Sequence, residues 1–191
     1  MNIPLPLALA FTALTCGCTT SYTRTNAVRN TTTVLSRDAS AYVAAPADGR
    51  YEQINYAGSG QQTATEVSAA FSRYLKRMEL APAVAEFPVS LSAARAGAFD
   101  YLVWPEIVHW EDRATEWSGK RDRIEIKIQV VDAKTGATID ATTVKGVGTW
   151  WTLGGFKPEK MLTIPINEHV DSLFGVQTPK PPRPRNRSIE R

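Results

Sequence analysis

The chain has 191 residues, of which 43% are hydrophobic, 21% charged and 9% aromatic, a composition typical of a single globular domain. This composition excludes a collagen, a coiled coil, a disulfide-rich miniprotein and a wholly disordered chain. The formal net charge is only +3, and it comes from a basic C-terminal segment. The body of the chain therefore lacks the charge of a nucleic-acid-binding surface.

The N-terminal segment predicts export. Met1–Gly17 carries no charged side chain, and its apolar run has the length of a signal-peptide core but is too short for a membrane-spanning helix. Cys18 follows it, and a small residue directly before a cysteine at this point resembles the lipobox of bacterial lipoproteins. The resemblance implies that residues 1–17 are removed and that Cys18 becomes the first mature residue, with acyl chains such as palmitate that hold it to a membrane.

The residues beside Cys18 also predict a location. Thr19, rather than an aspartate, follows the cysteine, which is similar to the outer-membrane signal of Gram-negative lipoproteins. It implies a lipid-anchored protein of the outer membrane that faces the periplasm. The alternative is a secreted protein with a Cys16–Cys18 disulfide, but cysteines one residue apart would close a strained ring that constrains almost nothing.

Polar segments flank the predicted domain, which covers residues 37–176. Residues 18–36 are crowded with Thr, Ser and Asn and predict a flexible tether. For residues 31–35 the alternative is an edge strand. Residues 177–191 interleave prolines with five basic residues and one glutamate, which predicts an extended, disordered tail. The tail either contacts a partner or an anionic envelope polymer, or is only a solubilising end.

Helices and strands alternate in the first half of the domain. The firmest prediction is a helix at Thr63–Met78, because Thr63 and Glu66 have the spacing of a capping box and apolar residues then recur at helical spacing. The other predicted elements of this half are a strand at Ala41–Ala45, a strand at Ala83–Val89 and a helical turn at Ser92–Ala96.

The second half predicts an antiparallel meander and a final helix. The predicted strands are Asp100–Trp110, Arg123–Val131 and Thr138–Trp150, and the helix is Ile164–Phe174, with Pro165 in its first turn. In the middle strand, aliphatic residues alternate with polar ones from Ile124 to Val130, so one face is buried and the other solvated. We therefore predict an α+β fold, a small, largely antiparallel mixed sheet with two main helices packed on one face.

Two short motifs resemble a known family. Val130-Val131-Asp132 with Thr135-Gly136, and the segment Val170–Gly175, resemble proteobacterial lipoproteins that are known only as a domain of unknown function. The resemblance covers residues 34–175. The layout is also distantly similar to TolB N-terminal domains and to lipoprotein activators of penicillin-binding proteins, which implies envelope docking without catalysis and supplies no functional residues.

No motif for catalysis, nucleotide binding or a cofactor is found in the sequence. On a regular strand His109 and Glu111 would share one face, with Glu106 and Asp112 on the other, and two such ligands do not make a structural metal site. His169, beside Glu168 and Asp171, is predicted to face solvent. We therefore predict no catalytic residue and no metal.

Aromatic residues give the candidate binding surface. All five tryptophans fall between residues 104 and 151, and in a regular strand Trp150 and Trp151 would point to opposite faces. With Phe156 they form a candidate surface for a peptide or glycan strand, the alternative being core packing. A further set of residues is predicted to form cross-strand ion pairs on the solvated face: Glu106, Glu111 and Asp112 with Arg121, Arg123 and Lys127.

The sequence favours a non-enzymatic, membrane-anchored envelope lipoprotein that docks another envelope protein or peptidoglycan. Its predicted contacts are the membrane, through acylated Cys18, and such a partner, with no role for nucleic acid. The alternative is a periplasmic hydrolase or metal-dependent enzyme. A cleft with paired titratable groups would favour the enzyme, whereas an open sheet edge or aromatic patch would favour docking.

Overall fold

The computed structural model describes residues 21–29, 34–111, 122–147 and 160–176. Within these ranges the chain forms the following elements in order: β1 (Ser21–Arg29), β2 (Ser40–Ala45), β3 (Arg50–Tyr51), β4 (Ile54–Asn55), α1 (Ser59–Ser72), β5 (Arg77–Val84), α2 (Phe87–Ala96), β6 (Tyr101–Glu111), β7 (Arg123–Asp132), β8 (Thr138–Val147) and α3 (Lys160–Leu173).

Six of the strands form one sheet in the order β1-β8-β7-β6-β2-β5, and β3 and β4 form a separate hairpin. The pairs β1·β8, β8·β7 and β7·β6 are antiparallel, whereas β2 is parallel to both β6 and β5. The predicted α+β class and the largely antiparallel mixed sheet are confirmed. The sheet is open, with β1 at one edge and β5 at the other.

The main hydrophobic core lies between the sheet and helices α1 and α3. The alternation of aliphatic and polar residues along β7 determines where this core lies, because Ile124, Ile126 and Ile128 are fully buried on the face that these helices cover. Phe71 of α1 and Ile166 of α3 belong to the same cluster. The prediction of two main helices on one face is thus confirmed, and burial of these side chains is the chief source of stability.

The third helix, α2, lies on the opposite face and covers only part of it. Ala94 of α2 packs with Leu102 of β6 and Val131 of β7 in a second, smaller cluster. The rest of that face, formed by β8, β1 and the later part of β6, carries polar and charged side chains, among them Lys145 and Glu106. One half of this face is therefore solvated, as the alternation in β7 predicts.

Strand β1 corrects the prediction for the tether. Residues 18–36 are predicted to be flexible, but Ser21–Arg29 pairs with β8 along its length, from Ser21 opposite Val147 to Arg29 opposite Asp140. The strand escapes sequence analysis because the side chains of residues 23–28 are all exposed, so no apolar alternation marks it. The predicted signal peptide and the tail at residues 177–191 lie outside the described residues.

Helix α1 begins and ends earlier than predicted. It covers Ser59–Ser72 rather than Thr63–Met78, and Gly58, with φ of 87°, precedes its first turn. The Asp48 carboxylate accepts hydrogen bonds from the backbone N–H groups of Gly58 and Gly60. These bonds satisfy two of the N–H groups that the helix start leaves without a partner, and the helix has already begun when it reaches Thr63. The Thr63–Glu66 spacing therefore lies inside the helix and is not a cap.

Three other boundaries also differ. Strand β5 covers Arg77–Val84 instead of Ala83–Val89, and α2 covers Phe87–Ala96 instead of Ser92–Ala96. Pro88 explains the earlier start of α2, because proline fits the first turn of a helix. Helix α3 starts at Lys160, so Pro165 lies inside it rather than in its first turn.

Candidate functional site

The predicted binding surface and lipidation site lie outside the described residues. This applies to Cys18, Trp150, Trp151 and Phe156, as well as to Trp117, Asp112 and Arg121. The structure does describe the residues from which these segments leave the sheet.

One end of the sheet, here called the Ser21 end, is defined by Ser21, Glu111, Arg123 and Val147. Ser21 and Arg123 both lie opposite Val147, and Arg123 lies opposite Glu111. Strand β1 therefore starts, and strand β8 ends, at the same end of the sheet. The residues after Cys18 and the residues leading to Trp150 connect to the domain here.

The β3–β4 hairpin packs against the last residues of β6, close to the Ser21 end. A side chain at Gly49 would place its Cβ within 2.5 Å of the Cβ of Trp110, so only glycine allows this approach. The Tyr51 ring meets the His109 ring edge-on at 5.2 Å. Trp110 is buried in the main core and Trp104 is half-buried against Phe87. Neither of these two tryptophans is a free docking surface.

His109 lies beside the carboxylate of Glu111. Its Nε2 lies 3.2 Å from Oε2 of Glu111. A bulge between Ile107 and His109 also brings Glu106 to the same face, because Glu106 lies opposite Lys127 and His109 opposite Glu125. The prediction that Glu106 faces the other way is wrong for this reason. Within the described ranges, no group of three or more His, Cys, Asp or Glu side chains is arranged to hold a metal.

Cross-strand ion pairs cover the solvated face. Lys127 Nζ lies 3.7 Å from Glu106 Oε2, and Lys145 Nζ lies 3.0 Å from Glu125 Oε2. The predicted pairing of Glu106 with Lys127 is confirmed. Both pairs are partly exposed and contribute little to stability.

His169 is buried, contrary to the prediction that it faces solvent. Its side chain is 1% exposed, and its Nε2 lies 3.3 Å from Oδ2 of Asp140, which is 2% exposed. The sequence contained the signal, since His169 stands three residues after Ile166 and four before Leu173, on the apolar stripe of α3. The charged neighbours Glu168 and Asp171 mask that spacing in the sequence.

The His169–Asp140 pair is incompletely hydrogen-bonded. Thr142 Oγ1 donates to Asp140 Oδ2 at 2.9 Å and lies 3.1 Å from Oδ1 of Asn26. Neither ring nitrogen of His169, nor Oδ1 of Asp140, has a hydrogen-bond partner among the described residues. The 3.3 Å separation of His169 Nε2 from Asp140 Oδ2 is therefore an electrostatic contact that lacks the geometry of a hydrogen bond. Because the pair is enclosed under α3, it does not form a site that a substrate can reach.

The opposite end of the sheet, here called the Asp132 end, is defined by Ser40, Tyr101 and Asp132. A shallow cleft of about 310 Å³ lies there, lined by Asp100, Asp132 and Lys134 among others. Lys134 Nζ lies 3.7 Å from Oδ1 of Asp100. The charges of the cleft are thus partly balanced within the protein.

Hydrogen bonds lower the pKa values of Asp100 and Asp132, two of the three aspartates that line this cleft. The backbone N–H of Ser40 donates to Asp100 Oδ2 at 2.9 Å, and the Ser40 hydroxyl donates to the same oxygen at 2.9 Å. The backbone bond, followed by the hydroxyl bond and Lys134, lowers the pKa of Asp100 against the opposing effect of burial. The backbone N–H of Thr135 likewise lowers the pKa of Asp132. Sequence analysis did not find this cluster, because Ser40 and Asp100 are far apart in the chain.

The fold is similar to that of solved structures. Over 84% of this chain and 100% of that chain, it matches PelC from Paraburkholderia phytofirmans, described as a dodecamer, with a TM-score of 0.61 and 15% identity. Lipoprotein GNA1162 from Neisseria meningitidis matches over 70% of this chain and 99% of that chain, with a TM-score of 0.48 and 9% identity. The LpoB C-terminal domain from Salmonella enterica matches over 57% of this chain and 82% of that chain, with a TM-score of 0.35 and 11% identity.

A family model described as "Domain of unknown function (DUF4823)" matches residues 33–173. None of the curated proteins compared with the chain matches it. In the described part of the chain, the helices are not long and apolar enough to cross a bilayer.

Proposed function

We propose that this chain, which belongs to the DUF4823 family of domains of unknown function, is a non-enzymatic, membrane-anchored envelope lipoprotein. It docks another envelope protein or peptidoglycan. Acyl chains on Cys18 anchor it to the outer membrane, facing the periplasm, and its docking surface includes Trp150, Trp151 and Phe156.

The register between β1 and β8 carries this proposal. Ser21 lies directly opposite Val147, Cys18 precedes Ser21 by three residues, and Trp150 follows Val147 by three residues. Three residues of chain reach at most about 10 Å. Cys18 and Trp150 are therefore each within about 10 Å of the Ser21 end, and Phe156, nine residues after Val147, is within about 30 Å. This favours a docking surface close to the membrane.

The aromatic segment suits docking for chemical reasons. Indole rings offer a large contact area with few rotatable bonds, and tryptophan is enriched among the residues that dominate binding energy. Trp104 and Trp110, the described tryptophans, are held by packing within the domain. Trp150, Trp151 and Phe156 are thus the aromatic residues that we assign to the partner.

The arrangement of histidines supports a non-enzymatic role. The chain has only two, and His169 is buried beneath α3, whereas His109 is held between Tyr51 and Glu111. Neither one stands beside a nucleophile in a cleft in the part of the chain that the structure describes. The cleft at the Asp132 end offers carboxylates with lowered pKa values, which suit poorly a general acid at neutral pH.

The fold similarity to PelC extends the proposal to self-assembly. That chain is described as a dodecamer and is matched over its full length. Among the described strands, β1 and β5 form the two edges of the sheet, and edge strands offer surface for contacts between copies. Native mass spectrometry of the detergent-extracted protein tests this part. A discrete oligomer is the expected result, and a monomer at all concentrations would contradict self-assembly.

Photocrosslinking in intact cells tests docking. Benzoylphenylalanine replaces Trp150 in one variant, Trp151 in a second and Lys134 in a control variant, because Lys134 is 79% exposed at the Asp132 end. We expect a defined adduct, with an envelope protein or a peptidoglycan fragment, from one of positions 150 and 151 and not from position 134. The same adduct from position 134, or none from either tryptophan position in correctly anchored protein, would contradict the proposed docking surface.

A further inference from the structure

Exposed arginines are found at the Ser21 end of the sheet. Arg123 is the first residue of β7 and lies opposite Val147. Arg24 lies on β1, three residues from Ser21 and opposite Val144. Both side chains are exposed. Their backbone positions lie within about 10 Å of the end of the sheet, at roughly 3.3 Å per residue.

A third exposed arginine, Arg50, lies on the β3–β4 hairpin. Its neighbour Tyr51 contacts His109 at 5.2 Å between ring centroids. His109 is followed by only two further residues of β6, which ends at Glu111. The hairpin therefore brings Arg50 to the same end of the sheet as Arg24 and Arg123.

These three arginines differ from the others. Elsewhere in the described ranges, each arginine with a described side chain has a partner within the domain: Arg37 lies over the Tyr74 ring at 4.8 Å, Arg73 pairs with Asp171, Arg77 donates to the Gly97 carbonyl at 2.6 Å, and Arg95 donates to the Ala133 carbonyl at 2.7 Å. By contrast, Arg24, Arg50 and Arg123 have no hydrogen-bond or ion-pair partner in the described structure. Their guanidinium groups are available to an external ligand.

The acidic residues at this end do not cancel that charge. Glu111 is 6% exposed and contacts His109, while Glu125 is paired with Lys145 at 3.0 Å. Asp122 is half-buried and has an interaction partner. Glu168 accepts a hydrogen bond from the Tyr22 hydroxyl at 3.2 Å, and Glu52, on the hairpin, is the exposed acidic residue that remains among the described residues. Within the described ranges, three exposed arginines without a described partner therefore lie beside one exposed acidic side chain.

We propose that Arg24, Arg50 and Arg123 bind the phosphate groups of an anionic phospholipid bilayer, so that the Ser21 end rests on the membrane into which the protein is anchored. This inference rests on the proposed acylation of Cys18, which puts the bilayer at most about 10 Å of chain away from Ser21. The screening length at physiological salt is about 8 Å. The end that carries the available arginines is thus the end that the anchor keeps near the lipid charges.

Guanidinium chemistry fits this ligand. Arginine offers a planar set of donors that binds phosphate oxygens in pairs and stays charged at all relevant pH values. A basic side chain near an anionic leaflet raises membrane binding about fivefold. Three such contacts bind a membrane far more weakly than acyl chains do, but they are measurable at high lipid concentration and suffice to orient a domain that acyl chains already hold at the surface.

Vesicle flotation of an unacylated chain tests the inference separately from the anchor. The mature chain from residue 18 onwards, with Cys18→Ser, contains every described element. It is mixed with vesicles of phosphatidylcholine alone or with phosphatidylglycerol, at low and at physiological salt. The test variant carries Arg24→Gln, Arg50→Gln and Arg123→Gln. The control variant loses the same charge at the other end through Arg37→Gln, Lys76→Gln and Lys134→Gln.

We expect binding that requires phosphatidylglycerol, weakens with salt, and falls more than tenfold in the test variant, at about fivefold for each arginine. The control variant should bind nearly as well as the parent chain. Equal binding to both kinds of vesicle, or equal loss in both variants, would overturn the inference. Matched melting temperatures establish folding, and the single Arg123→Gln variant replaces the triple one if they differ. Acylation plays no part in this assay, so its outcome is distinct from that of the proposed function.

Discussion

Ser21 lies directly opposite Val147 in the β1–β8 ladder. The chain that follows Cys18 therefore enters the sheet at the same end at which the chain that leads to Trp150 and Trp151 leaves it. At the other end lie Asp100, Asp132 and their cleft. With the proposed anchor at Cys18, the Ser21 end is the membrane-proximal end and the Asp132 end the distal one.

The two adjacent tryptophans should contribute unequally to stability. Neighbouring residues in an extended strand point to opposite faces, so we expect one of Trp150 and Trp151 to be buried and the other to be exposed. The Ala variant of a buried tryptophan should lose about 3 to 5 kcal/mol of unfolding free energy, and that of an exposed one should lose little. Thermal melts of Trp150→Ala and Trp151→Ala provide the measurement. Large and equal losses in both would leave the docking proposal without its surface.

Acid should destabilise the Asp132 end. The folded-state pKa values of Asp100 and Asp132 are lowered, so at acidic pH the unfolded chain binds more protons than the folded one. Their stabilisation is complete above the unfolded pKa of about 3.9 and is lost as the pH falls through the folded values. It is modest, because the Asp100 side chain is 41% exposed and screened by solvent.

Urea unfolding at neutral pH and at about pH 3 measures this effect. Asp100→Asn should lower the unfolding free energy at neutral pH and reduce its loss in acid. Asp38→Asn is the matched control, because the Asp38 side chain lines the same cleft but is 89% exposed. If both variants lose stability in acid as the parent does, the hydrogen bonds from Ser40 to Asp100 do not have the role assigned here.

Removing one partner of the buried His169–Asp140 pair should lower the unfolding free energy strongly, whereas replacing both partners with apolar residues should lower it less. His169→Leu leaves the Asp140 carboxylate enclosed with only Thr142 as a described hydrogen-bond donor, and loss of one partner of a buried pair costs about 3 to 5 kcal/mol. The double variant His169→Leu with Asp140→Val removes both polar groups and should recover part of that loss. Denaturant unfolding of the parent chain, the single variant and the double variant measures these free energies. A double variant less stable than His169→Leu would contradict this account of the pair.

Sequence reasoning succeeded where one pattern dominates. The alternation from Ile124 to Val130 predicted strand β7 and its buried face, and the apolar run after Asp100 predicted β6 to within one residue at each end. These strands lie in the middle of the sheet, so burial and side-chain pattern agree there. The α+β class and the helix-covered face follow directly from them.

The sequence did not predict features that depend on contacts between distant residues. Strand β1 is polar and exposed, and only its partner β8 makes it a strand. The bulge after Ile107 changes which face Glu106 occupies, and the ladder with β7 rather than the local sequence reveals it. The start of α1 likewise depends on Asp48, ten residues before Gly58. The Ser40–Asp100 contact joins residues sixty positions apart.

Mass spectrometry of the N-terminal peptide from membrane-extracted protein tests the central claim, that Cys18 is the acylated anchor of the domain. We expect the mature chain to begin at Cys18 with the added mass of its acyl chains. Cys18→Ala should abolish membrane retention, because each buried methylene of those chains contributes about 0.8 kcal/mol to membrane binding. Cys16→Ala is the matched control and should remain with the membrane. An unmodified Cys18 in protein that still fractionates with the membrane would contradict the anchor, and with it the proposed function.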